Sequence, residues 1–431
     1  MIRQYKYPPV YEWKSLCERP LQNQENLSEQ VKSVFDKVKI NGDKALKFYT
    51  EKFDKVSLED LKVSESEIIE AEQSVSDELK SAIKIASENI RKFHNSQQEE
   101  KKIIETTEGA FCWRESRVIE SIGIYIPGGT APLFSTVLML GIPANIAGCK
   151  NIALCSPPDK NGKINPTILF TANLIGIKNI FKVGGSQAIA GLTFGTETIP
   201  KVDKIFGPGN QYVTSAKQLA LNYNLAIDIP AGPSEVLVIA DESSVPDFVA
   251  ADLLSQAEHG TDSQVILLSN SEKIINEINI EIKKQLKDLP RKEIAEIALQ
   301  NSKSILLNSI DEAIQFSNIY APEHLILAVE NAENFTDKIK NAGSVFLGNY
   351  SPESAGDYAS GTNHTLPTNG FAKNYSGVSL DSFVKKITFQ NITKKGIQNI
   401  GKTIELMAEA EELMAHKNAV SVRLKYLENE S

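Results

Sequence analysis

Five histidines in 431 residues, His94, His259, His324, His364 and His416, are few enough to weigh one at a time. Leu253–Gly260 reads LLSQAEHG. On a helix, Gln256 and His259 stand i, i+3 and point the same way, so both could reach one ion. Imidazole commonly ligates catalytic zinc and glutamine rarely does, so by itself the pair is better explained as an uninvolved polar helix end. Tyr320–Leu325 reads YAPEHL, the close of a helix before a strand. There Glu323 and His324 offer a carboxylate and an imidazole side by side, bases with different resting affinities for a proton. A surface turn with two polar residues explains the pair equally well.

Asn349–Thr368, NYSPESAGDYASGTNHTLPT, reads as a twenty-residue loop rich in small residues. Loops of that length inside compact chains are usually functional or disordered. Asp357 or His364 could bind a cation there, and Gly356, Ser360 and Gly361 would let backbone approach a ligand. In Leu413–Val420, LMAHKNAV, His416 ends a terminal helix, where a lone histidine ordinarily complements the helix dipole. His94 falls at the polar C-terminal end of a helix and reads as a solvated or capping side chain.

The positioning elements follow from periodicity. Residues 1–24, with Pro8, Pro9 and Pro20, read as an irregular arm. From Ser28 as N-cap, Val31, Val34, Phe35 and Val38 mark an amphipathic helix that Gly42 should stop. A second starts at Ser76, with Leu79, Ala82, Ile83, Ala86, Ile90 and Phe93 on one stripe. Short apolar runs then alternate with helical stretches: 122–126, 151–155, 179–183, 204–206 and 225–229, followed by 236–240, 265–268, 304–307, 325–329 and 344–347. This βαβ rhythm predicts two parallel-sheet α/β units. Beyond about Lys385 the chain turns charged and helical, ends in a strand-like Ala419–Leu424, and is too short to fold alone.

Neither G-x-G-x-x-G after a strand nor G-x-x-x-x-G-K-[ST] is present. Three glycine-rich joints do follow strands, at Ile126–Thr130, Val183–Ala188 and Phe206–Asn210. Their N–H groups could receive an anion, or the glycines could serve tight turns alone.

Composition removes whole classes of function. A net charge of −9 would repel a phosphate backbone, which argues against nucleic acid. Cys17, Cys112, Cys149 and Cys155 form no C-x-x-C pair and fit a reducing cytoplasm. The opening MIRQYKYPPV lacks the apolar core of a signal peptide. Ser121–Cys149 carries no charge over 29 residues, but eight are Gly or Pro, which predicts strand, loop and buried helix rather than a membrane span. The residues alone leave open metal-assisted hydrolysis, cofactor-dependent redox chemistry and a two-lobed binding protein.

GIYIPGGTAP, VGGSQAIAGL, FGPGNQYV, IPAGPSEVLVIAD, LLSQAEHG, YAPEHL, GDYASGTNHTLPT and AHKNAV occur in the order, and at about the intervals, found in histidinol dehydrogenases. The chain resembles that family over nearly its whole length. The resemblance implies an α/β fold of two incomplete Rossmann-like parallel-sheet domains plus small N- and C-terminal segments, in an intertwined homodimer. Its parts would be an arm (1–24), a first part of α/β domain 1 (25–120), α/β domain 2 on the NAD side (121–235), a second part of domain 1 with the zinc and acid–base residues (236–378), and a C-terminal segment (379–431) docking on the partner subunit. The implied activity is oxidation of L-histidinol through L-histidinaldehyde to L-histidine, the last steps of histidine biosynthesis, with Zn(2+) and NAD. By motif position, Gln256, His259, Asp357 and His416 would hold zinc, His416 reaching over from the neighbouring subunit. Glu323 and His324 match the acid–base pair, Tyr125, Gln187 and Asn210 the NAD contacts, and Ser234, His364 and Glu411 the substrate contacts beside Gln256, His259, His324, Asp357 and His416. Glu411 and His416, five apart, stand about 140° apart on a regular helix, so either the helix ends between them or Glu411 does not touch substrate. The alternative is a dehydrogenase on the same scaffold acting on another small polar alcohol.

Overall fold

The computed structural model describes residues 2–20, 27–128, 132–229 and 232–430. The glycine-rich joint at Ile126–Thr130 therefore runs past the described residues at Gly129 and Thr130, as does the IPAGPSEV motif at Pro230 and Ala231. In chain order come β1 (Arg3–Lys6), α1 (Trp13–Leu16), α2 (Leu27–Asp54), α3 (Glu65–Ser74), α4 (Asp77–Asn95), β2 (Ile103–Thr107), β3 (Ala110–Val118), β4 (Ser121–Tyr125), α5 (Phe134–Ala147), β5 (Asn151–Ser156), α6 (Pro166–Leu174), β6 (Asn179–Lys182), α7 (Gly185–Phe194), β7 (Lys204–Phe206), α8 (Gln211–Ala220) and β8 (Ala226–Ile227). The second half adds β9 (Glu235–Ala240), α9 (Pro246–Ala257), β10 (Gln264–Ser269), α10 (Glu272–Gln285), α11 (Lys292–Gln300), β11 (Lys303–Leu306), α12 (Ile310–Tyr320), β12 (His324–Ala328), β13 (Ser344–Leu347), α13 (Glu353–Tyr358), β14 (Val384–Ile392), α14 (Lys394–Ala410) and α15 (Met414–Glu430).

One compact unit comprises 1–96 with 120–383. It contains a five-stranded sheet ordered β6-β5-β4-β7-β8 and a six-stranded one ordered β1-β11-β10-β9-β12-β13, both parallel throughout. The strands expected of the two α/β units all form. β1 is an addition: the arm is not irregular throughout but pairs with β11 from Arg3 to Lys6. The uncharged run becomes β4 and α5, with Ser135–Ala144 of the helix all buried, as its even apolar composition requires.

Packing departs from the sequence reading at α2. The helix begins at Leu27, so Ser28 lies inside it, and Gly42 breaks its direction (φ 49°, ψ −130°) without ending it at the expected stop. A Cβ at Gly42 would run into the Glu197 carboxylate, which takes the Asp43 N–H at 2.7 Å. Val31, Phe35, Val38, Leu46 and Tyr49 lie in one core with Phe181, Ile189, Leu192 and Val213. That helix therefore packs with 121–235, not with 236–378 as its expected place in domain 1 required.

On α4, Ser76 caps as expected, accepting from the Leu79 N–H at 3.3 Å. The buried face is Ile83, Ser87, Ile90 and His94, at i, i+4, i+7 and i+11, while Phe93 is exposed. Eleven residues at 100° return nearly to the starting face. His94 is thus fully buried, contrary to its reading as a surface residue, with Nε2 3.5 Å from Asn363 Nδ2.

The second unit joins 97–119 to 384–431. The C-terminal segment is therefore not self-contained. β14 pairs antiparallel with β3, which pairs with β2. Ala419–Leu424 is helical within α15, not a strand, because the alternating valines sit within the spacing Val420, Leu424, Leu427 that faces inward. Leu424 packs over Gly401 of α14.

Candidate active site

The amino ends of β9 and β12 bring together residues far apart in sequence. Residue 323 directly precedes β12 and His324 opens it, beside Val236 of β9 in the parallel register. Glu323 Oε2 accepts the Glu235 N–H at 2.9 Å, and His324 Nδ1 donates to the Glu235 carbonyl at 3.2 Å. Both catalytic candidates are thus hung on one backbone residue. Nδ1 lies 3.7 Å from Glu323 Oε2, and Nε2 lies 3.5 Å from Asp357 Oδ1, buried and without a hydrogen-bond partner. Open α/β sheets usually build sites at carboxyl ends of strands. This pair stands at the opposite edge.

Helix α9 ends at Ala257, so His259 stands just beyond it, its N–H on the Gln256 carbonyl at 3.3 Å, and not at i, i+3 on a helix. Gln256 is buried and faces inward. Its amide oxygen takes His324 Nδ1–H (3.3 Å) and the Glu235 N–H (3.1 Å), while its nitrogen donates to Glu353 Oε1 (3.2 Å). The expected loop over 349–368 contains the short helix α13, which sets Glu353 and Asp357 one turn apart. Ser255 Oγ donates to Glu353 Oε1 at 2.6 Å.

Burial and mutual attraction dictate the charges. His324 is pushed up to about 10: burial opposes the imidazolium, but Glu323, Asp357 and Glu353 outweigh it. Burial pushes Glu323 and Glu353 up to about 8 against the pull of His324. Burial also opposes the charge on Asp357, yet the imidazoles of His324, His364 and His259 hold it below the usual carboxylate range. A positive charge on His324 is consequently favoured by three surrounding carboxyl groups.

His364 uses both ring nitrogens within the protein: Nδ1 on the Asp357 carbonyl (2.9 Å) and Nε2 on Thr136 Oγ1 (3.0 Å). It shapes the wall beside Asp357. Ser234 is half-buried next to Glu235, and its carbonyl takes the Gln264 N–H at 3.2 Å. Glu411 caps α14, Glu412 adopts φ 59°, and His416 lies exposed in the first turn of α15, not at the close of a helix. The helix thus ends between Glu411 and His416.

The glycine-rich joints converge elsewhere, at the carboxyl ends of β4, β6 and β7. Tyr125, Gly128, Pro157, Gly185, Gln187 and Asn210 line a cavity of about 1340 Å³ together with Tyr49, Phe53 and Asp54 of α2. The Gly185 N–H donates to Tyr125 Oη at 3.0 Å, Gln187 Oε1 is buried without a partner, and Asn210 caps α8 through its side-chain oxygen. Gly207 (φ 125°) is structural: a Cβ there would overlap the Tyr125 carbonyl.

Four participants escape a motif reading. Glu235 opens an otherwise apolar strand, a charge where burial should forbid one. Glu353 shows itself once α13 is helical, as a like charge four residues before Asp357. Asp54 is the last residue of α2, where the helix dipole disfavours an anion. Arg19 has no sequence signal beyond its place in the arm.

A family model described as histidinol dehydrogenase matches residues 17–424. The chain belongs to the histidinol dehydrogenase family. A histidinol dehydrogenase of Bacteroides thetaiotaomicron is 59% identical over 99% of this chain and 100% of its own length. One from Bacteroides fragilis is 58% identical over 97% and 98%. The crystal structure of histidinol dehydrogenase from Elizabethkingia anophelis is 68% identical, covers 99% of both chains and superposes with a TM-score of 0.98. The histidinol dehydrogenase fold thus accounts for both parallel sheets and for the antiparallel unit.

Proposed function

We propose that this chain is a zinc-dependent histidinol dehydrogenase, oxidising L-histidinol through L-histidinaldehyde to L-histidine with two NAD. The observation that carries the reading is the buried Glu323–His324 pair, with His324 Nε2 unpartnered and facing Asp357, in a chain of this family. Over the two oxidations the substrate carbon gives up two hydrides, one water adds to the aldehyde, and three protons leave. His324 suits the hydroxyl proton in each oxidation. Glu323, hydrogen-bonded to the Glu235 N–H, suits the added water.

The donor set fits zinc in part. His259 supplies an imidazole and Asp357 a carboxylate already held ionised. Gln256 must turn its amide away from His324 and Glu353 to join them. Among the described residues no three His, Cys, Asp or Glu side chains converge as a metal cage, and the fourth proposed ligand is the partner's His416. When bound there, the ion would chiefly hold histidinol in place rather than make hydroxide. A cation on Asp357 would also weaken one attraction that keeps His324 protonated, freeing the imidazole as a base. Tyr125, Gln187 and Asn210 are proposed to hold NAD, the hydride acceptor, in the cavity they line.

We place the reaction in the cytoplasm, where four free thiols suit a reducing environment. Among the described residues no helix is long and apolar enough to cross a membrane. The deciding experiment is NADH formation with L-histidinol against a panel of small polar alcohols. Turnover with histidinol alone supports the assignment. Preference for another alcohol would shift it to a dehydrogenase on the same scaffold, and no NADH from any would remove it.

A further inference from the structure

We propose that Arg19 is a positioning residue for the acid–base pair, locking Glu323 and His324 from beneath through Glu235 and the turn that carries them. The inference rests on the acid–base assignment above. Arg19 Nε and Nη2 donate to Glu235 Oε1 (2.5 Å) and Oε2 (2.9 Å), a two-pronged ion pair in which the Glu235 side chain is 2% exposed. Such forks fix orientation as well as charge. Glu235 in turn holds the Glu323 carboxylate with its N–H and His324 Nδ1 with its carbonyl. Its Oε1 also takes the Asn369 N–H at 2.9 Å, tying in the end of the segment that carries Asp357 and His364.

The same guanidinium grips the other side of the site. Nη2 donates to the Tyr320 carbonyl at 2.9 Å, and the guanidinium lies 4.0 Å over the Tyr320 ring. Tyr320 and Ala321 lead directly into Pro322–His324, and Ala321 is held at φ 56°, which a residue with a Cβ rarely adopts. One cation thereby fixes both strand ends that present the pair. Arg19 is not needed merely to fasten the arm. β1 already pairs with β11 along four residues, and Trp13 is buried against Phe316 with ring centroids 5.7 Å apart.

The test uses the full-length zinc-loaded protein and the variants R19Q, R19K, E235Q and R19Q/E235Q. Support consists of a kcat for histidinol about 10–100-fold lower in R19Q, with zinc content and KM for NAD unchanged. R19K should fall between, since it keeps the charge and loses the fork. The double variant should be no worse than R19Q, because the two residues act as one unit, and the pH profile of kcat/KM should move. A wild-type kcat and pH profile in folded R19Q would overturn the proposal, as would independent, multiplicative losses in the double variant. Should R19Q fail to fold, a wild-type kcat in R19K overturns it equally. E323Q and H324N run in parallel. If these retain activity, the acid–base assignment itself has failed; if they lose activity while R19Q does not, only the role of Arg19 has.

Discussion

Glu323 and His324 are neighbours in sequence but face different partners, and that difference assigns them different work. Glu323 is anchored on a backbone N–H, while His324 has one nitrogen anchored and the other open toward Asp357. Glu323→Gln is expected to slow histidinaldehyde oxidation by about 10²–10⁴-fold, as loss of a general base does, and histidinol oxidation much less. Equal losses in the two half-reactions would refute the division. His259→Ala should yield protein with much less zinc, read by elemental analysis, and full occupancy would remove it from the ligand set. Asp54 gives a test on the cofactor side. Burial pushes its carboxyl up to about 6 from an ordinary 3.8, and its Oδ2 has no partner. The folded state then binds more protons than the unfolded between those values, so stability falls as pH rises from about 4 to about 6. Asp54→Asn should therefore raise the Tm of the cofactor-free protein above pH 6, with the gain vanishing below pH 4; a gain independent of pH would contradict it.

At the scale of elements, every parallel strand but β1 announced itself by a short apolar run, because strands covered on both faces cannot hide their composition, whereas β1, at the sheet edge, reads RQYK. Nor did the antiparallel strands announce themselves. β2, with all five residues exposed, and β14, with none buried, offer no run to read. α13 was hidden by its Gly and Ser and by the preceding Pro352, and with it Glu353. Lone residues on a helix are legible only when the stripe is phased correctly. His94 shows this: a stripe drawn through Phe93 puts it in solvent, whereas Ile83, Ser87 and Ile90 put it in the core. His94→Ala should accordingly cost about 1–3 kcal/mol in denaturant unfolding, chiefly through the cavity left in the core. A neutral outcome would restore it to the surface.

At the scale of the whole molecule, the ordered motifs identify the family, while the way the parts share the chain is fixed only by contacts between distant residues. Nothing local in 97–119 reveals that it belongs with 384–431, or in 27–54 that it belongs with the five-stranded sheet. The second unit also carries the proposed zinc ligand His416, exposed on α15. His416→Ala should lower zinc content without altering the Tm of metal-free protein. Mixing this variant with His259→Ala protein should then regenerate some intact sites if ligands come from two subunits, and none if each subunit builds its own.

The Arg19 contacts also bear on how the molecule is made. They bridge 216 residues to Glu235 and 301 to Tyr320. Closing loops of that length is entropically slow and depends on sheets already being in place. On a ribosome, the arm is synthesised before β12 and must wait for that strand to emerge before it can fasten the site. The acid–base pair is then among the last features of the fold to acquire its working geometry.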